Sequence, residues 1–152
     1  MTFVLLFALL QNPAALNPPP DEHLAFQAHA SGDQIYTCRA GAWIFKAPEA
    51  KLFDAAGKEI GKHFAGPTWE SIDGSQVKGK LVASAPAPDS DAIPWLLLSA
   101  AGHQGTGVMA SVTTIQRLHT KAGKAPSAVC AAAQEGAEAR SPYQADYLFY
   151  VH

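Results

Sequence analysis

The residues best equipped for chemistry in this chain lie in one stretch, His63–Ser75, where a histidine, a tryptophan and two carboxylates sit among two turn signals. His63, Glu70 and Asp73 are the residue types that general acid–base chemistry needs: a base, an acid and an orienting carboxylate. On alternating strands His63 and Glu70 face one another only if the Gly66–Pro67 turn folds them together. A structural role accounts for the same residues, with Asp73 shaping the turn before Gly74 and Glu70 facing solvent. The spacing fits no zinc motif such as His-Glu-x-x-His. His23, His29, His103 and His119 are not paired at ligand spacing either, so the sequence implies neither a metal nor a cofactor.

A second kind of chemistry is recognition. Tryptophan faces stack on sugars or apolar ligands, and the chain has three: Trp43, Trp69 and Trp95. Trp95 in Pro-Trp-Leu-Leu-Leu and Trp43, alternating with Phe45, read as core. Trp69, beside a Gly-Pro turn, is the one expected to be partly exposed. With His63, Tyr36 and Arg117 it forms the candidate ligand-binding set. Arg117 ends an apolar run, where it either pairs with Asp146 or Glu70, the simpler reading, or clamps an anionic ligand.

The elements that must position these residues follow from composition and pattern. A chain of 152 residues suits one domain. Net charge is only −2, so no global field favours nucleic acid. Charged residues are scarce at 16%, while Gly (12) and Pro (11) are plentiful, a mix that suits short strands and tight turns.

Phe3–Leu10 (FVLLFALL) is too short to span a bilayer as a helix, which needs about 20 residues. It fits the apolar core of a secretory signal, with Ala14 and Ala15 as cleavage positions, although no basic residue precedes it. Residues 1–16 are therefore assigned to a signal peptide, 17–22 to a Pro-rich linker with little reason to pack, and 23–152 to a single domain. Cys38 and Cys130 are the only cysteines and lie outside any Cys-x-x-Cys motif. In an oxidising compartment they most simply form one disulfide. The expected location is secreted or periplasmic, with no transmembrane helix in the mature protein.

Along the domain, apolar–polar alternation and turn signals mark about ten short strands. They run over 24–28, 34–39, 42–46, 50–53, 58–64, 68–72, 76–85, 95–98, 108–117 and 143–151. Asp73–Gly74 is a strong hairpin signal. Tyr143, Tyr147 and Phe149 share one face of the last strand. Only 128–140 has helix-forming composition, and Gly136 interrupts it, leaving at most one short helix. The fold class is all-β: a single-domain antiparallel β-barrel or β-sandwich.

Several ordered segments carry a family likeness: Gln34–Ile35–Tyr36–Thr37–Cys38, Trp43 with Pro48–Leu52, the His63–Ser75 stretch, Ile93–Leu97, Ile115–Arg117 and Tyr143–Tyr147. Together these resemble the secreted proteins of bacteria and fungi grouped as domain of unknown function 3455, over about His23 to His152. The resemblance implies no established activity. A malate-dehydrogenase label carried by some members finds no support, since no Gly-x-Gly-x-x-Gly follows a strand. Three function classes stay open. One is a binding module for a glycan or other cell-envelope ligand around Trp69, His63 and Tyr36. The second is a secreted enzyme using His63 with Glu70 or Asp73. The third is a structural envelope protein, which would have no concave pocket beside a tryptophan.

Overall fold

The computed structural model describes residues 12–152, so the apolar run Phe3–Leu10 lies outside it. Eight antiparallel strands close into one barrel: β1 (His23–Arg39), β2 (Ala42–Phe53), β3 (Glu59–Phe64), β4 (Thr68–Ser71), β5 (Gln76–Ala85), β6 (Trp95–Gln104), β7 (Thr114–Ala122) and β8 (Glu138–Val151). Each strand pairs with the next, and β1 pairs with β8 from His23↔Val151 to Thr37↔Glu138, which closes the ring. Closure gives every strand a neighbour on both sides, although the first part of β2, before Ala50, is paired to β1 alone. Two 3-10 turns, Ala14–Leu16 and Ala132–Gln134, are the only helical elements among the described residues.

The strands are fewer and longer than the turn signals suggest. Ser31–Gly32–Asp33 does not end a strand. A Cβ on Gly32 would lie 2.5 Å from the Ala50 Cα, so the glycine lets β1 cross β2 at close range and run on. Pro48 likewise sits inside β2, opposite Gln34. The β2–β3 ladder stops at Ala50↔His63, so Pro48 lies where β2 has a partner on one side only and its missing N–H costs no ladder bond. The segment 108–117 is also reassigned. Residues before Thr114 form a turn, and the strand instead continues through His119 to Ala122.

Strand periodicity sorts side chains between interior and outer face. Tyr143, Ala145, Tyr147 and Phe149 of β8 point inward, in one core with Ala28, Ala30, Leu52, Trp69, Val77 and Ile115. A separate cluster lies on the outer face, where Leu16, Trp95, Leu97 and Leu118 pack together. Leu16 is fully buried there, and its carbonyl accepts a hydrogen bond from the Gln116 Nε2 at 2.5 Å. Glu22 accepts from the hydroxyls of Thr113 and Thr114. The packed structure thus reaches back to Leu16, ahead of the His23 boundary expected from the Pro-rich composition. Proline stiffens the segment, but an apolar outer patch gives it something to cover.

Cys38 and Cys130 form a disulfide, 92 residues apart, which ties β1 to the β7–β8 connection. No helix among the described residues is long and apolar enough to cross a membrane.

Candidate functional site

Neighbouring strands put four of the relevant side chains on the inner face at one end of the barrel. His63 and Trp69 are register partners on β3 and β4, so their rings meet, stacked 4.3 Å apart at 14°. Arg117 and Tyr147 are partners on β7 and β8. The Tyr147 ring touches both others, 5.0 Å from His63 and 5.4 Å edge-on from Trp69. Gly79 makes room for the indole, since a Cβ there would lie 2.9 Å from Trp69 Cζ3. These residues, with Gln34, Pro48, Leu96 and Leu98, line a cavity of about 240 Å³ that opens at the barrel mouth.

Burial sets the electrostatics. The His63 Nδ1–H donates to the Thr68 carbonyl at 2.8 Å, which leaves Nε2 as the lone-pair nitrogen. Loss of solvation drives its pKa down to about 3, against the pull of that hydrogen bond and with a smaller push from Arg117. His63 is therefore a neutral acceptor at neutral pH and a weak base. Tyr143 and Tyr147 share a 3.1 Å hydroxyl contact, and burial raises both phenols. Arg117 opposes those shifts, so its positive charge is felt throughout this end of the interior.

Arg117 pairs with neither carboxylate proposed for it. Its Nε and Nη2 both donate to the Pro94 carbonyl, at 3.0 and 2.7 Å. Asp146 follows Ala145 and precedes Tyr147, so alternation turns it outward, where it accepts from His29 and His119, each at 2.8 Å. Glu70 is also on the outer face, held by Lys62 at 3.1 Å and Gln76 at 2.8 Å. The guanidinium has no carboxylate partner among the described residues. Of its neighbours around the cavity, Trp69 Nε1 is a buried donor without an acceptor, and Gln34 Nε2 makes no hydrogen bond of good geometry, although the Tyr143 hydroxyl lies close to it. Unpartnered buried N–H groups are costly and rare in folded proteins.

The three acid–base candidates do not meet. His63 is interior, Glu70 outside, and Asp73 lies at the far end of the barrel, bonded to the Ser75 N–H and hydroxyl and to the Val108 N–H. Tyr36 is buried and close by, but its hydroxyl donates to the Gly123 carbonyl at 2.6 Å, fixing the β7–β8 connection. Trp69 is not partly exposed as expected: it is 1% exposed, because β4 turns it into the core rather than toward the Gly-Pro turn. Conversely Trp43, expected in the core, is only part-buried, and Phe45 two residues on is half-exposed at the mouth with its ring edge-on to Tyr36. Trp95 is buried as expected, though in the outer cluster.

Gln34 and Tyr147 were missed as site residues. The signal for Gln34 was present: the alternation through Phe26 and Ala28 continues to Ala30, Gly32 and Gln34, which puts an amide on the inner face.

A family model described as "Protein of unknown function (DUF3455)" matches residues 18–151. No curated protein and no solved structure matches the chain.

Proposed function

We propose that this chain, which belongs to the DUF3455 family of proteins of unknown function, is a binding module that takes a small carboxylate-bearing molecule into the barrel mouth at Arg117. One observation carries this reading: a guanidinium without a carboxylate partner among the described residues lines a cavity together with Gln34 and Trp69, whose buried Nε2 and Nε1 donors make no hydrogen bond of good geometry. A carboxylate offers the acceptors that such donors need, and hydrogen bonds to a charged group are worth about 1.5–3 kcal/mol. The His63 Nε2 lone pair adds an acceptor suited to a ligand hydroxyl. An anionic hydroxy acid or an acidic sugar matches that set.

The other readings find less support. A neutral glycan offers nothing to the charge of Arg117, and Trp69 is covered by His63 rather than open for stacking. The cavity of about 240 Å³ also lies below the roughly 300–1,000 Å³ that drug-sized ligands occupy. Acid–base catalysis lacks a carboxylate beside His63. A purely structural role leaves the concave site beside Trp69 without a purpose. Export to an oxidising compartment belongs to the same proposal, supported by the disulfide and the apolar Phe3–Leu10 run.

The test is a thermal-shift screen of the oxidised protein against lactate, malate, citrate and glucuronate, repeated on Arg117→Gln. A ligand at a hundred times its Kd stabilises the fold by about 2.7 kcal/mol. The expected result is a shift with at least one carboxylate and a more than tenfold loss of affinity in Arg117→Gln. No shift across the panel, or a shift that survives the substitution, refutes the proposal.

A further inference from the structure

The far end of the barrel, where β1 begins and β8 ends, holds a second cavity of different chemistry. It measures about 560 Å³, well within the range of small-molecule sites. Phe26, Ala28, Leu52, Ile60 and Met109 form its wall. From this we infer a second binding site, specific for a neutral apolar small molecule and independent of the site at Arg117.

Three features of the structure support it. The cavity has no charge free for a ligand: Asp73 is the ionisable residue in its lining, and three hydrogen bonds to Ser75 and Val108 occupy that carboxylate. The same bonds, with the Met109 N–H donating to Ser75 Oγ at 3.0 Å, pin the β6–β7 loop to the β4–β5 turn, so the mouth is already formed. At the rim, Ile72 is 66% exposed and Val108 51% exposed, apolar surface held in water beside an apolar opening. An apolar occupant would remove both from water, which is the favourable direction for hydrophobic transfer.

The two cavities are separated by packed aromatic rings. Phe26 stacks on Phe149 at 4.5 Å, and Phe149, fully buried, meets Trp69 edge-on at 6.3 Å. Phe26 faces the apolar cavity and Trp69 the mouth at Arg117, so a molecule at one end does not reach the other.

The test is a fluorescence titration of the full oxidised chain with N-phenyl-1-naphthylamine, a neutral apolar probe, with size-exclusion light scattering on the same samples. Two rim variants are compared: Ser111→Trp, which fills the opening from an exposed position, and Ile72→Asp, which places a charge there. Expected are saturable binding of one probe per chain, a tenfold or greater weakening in at least one rim variant, and unchanged binding in Arg117→Gln. Several results overturn the inference: no saturable binding, equal binding by both rim variants, loss in Arg117→Gln, or enhancement that tracks dimer formation. The last would mean that the apolar rim meets a second copy of the chain.

Discussion

Acid should destabilise this protein through His63. In the unfolded chain this histidine takes up a proton near pH 6.5. In the barrel it stays neutral until about pH 3, because burial penalises the imidazolium. Between those values the unfolded state binds the extra proton, so stability is complete above pH 6.5 and falls as pH falls. The loss between pH 7 and pH 5 comes to about 2 kcal/mol for a shift of this size. Glu70, Asp73 and Glu138, whose pKa values are lowered by hydrogen bonds, act in the same direction but mainly below pH 4.5. The assay is urea unfolding at pH 7, 6 and 5 on the native protein and on His63→Gln, which keeps a donor for the Thr68 carbonyl but does not titrate. The native protein should lose about 2 kcal/mol more than His63→Gln across this series. The same slope in both would show that His63 does not remain buried and neutral.

Other expectations follow from the packing. Reducing Cys38–Cys130, or replacing both with serine, releases a link across 92 residues and should cost about 4–5 kcal/mol on a chain-entropy basis; urea midpoints of oxidised and reduced protein measure it. Leu16→Ala should cost about 2–4 kcal/mol, because it empties a fully buried site over Trp95, Leu97 and Leu118. A change below about 1 kcal/mol in its urea unfolding would mean that the N-terminal segment is not anchored there. Gly79→Ala should cost about 1–3 kcal/mol, since its methyl would press on Trp69, and near-ultraviolet circular dichroism should show the indole displaced.

Much of the architecture was legible from local pattern. Period-two alternation fixed which residues of β8 point inward, and Asp73–Gly74 marked a real hairpin, with Gly74 at φ 89°. Two lone cysteines allow only one intramolecular bridge, so the pairing needed no geometry. The number of strands was harder to read, because a Ser-Gly-Asp cluster and a proline look like ends in any local window. Whether the chain turns there depends on the neighbouring strand, and here Gly32 passes Ala50 while Pro48 meets an unpaired flank. The same limit explains the candidate site. Sequence proximity grouped His63, Glu70 and Asp73, yet an inward position, an outward position and a turn at the far end are what a pleated strand and a hairpin make of those residues.

What the sequence by itself determined was the class of fold, the disulfide and the residue types available for chemistry, because these depend on composition and on periodicities within a few residues. The partners of those residues were decided only by strand register and closure of the barrel. The register of β7 on β8 set Arg117 beside Tyr147, while closure through β1 brought Gln34 to the same cavity and gave the outward Asp146 His29 as a partner besides His119. Closure also made two cavities of opposite character in one interior, one holding a free charge and the other none. Contacts between residues about 30 to 120 positions apart are set by strand register and barrel closure, which no local stretch of sequence encodes.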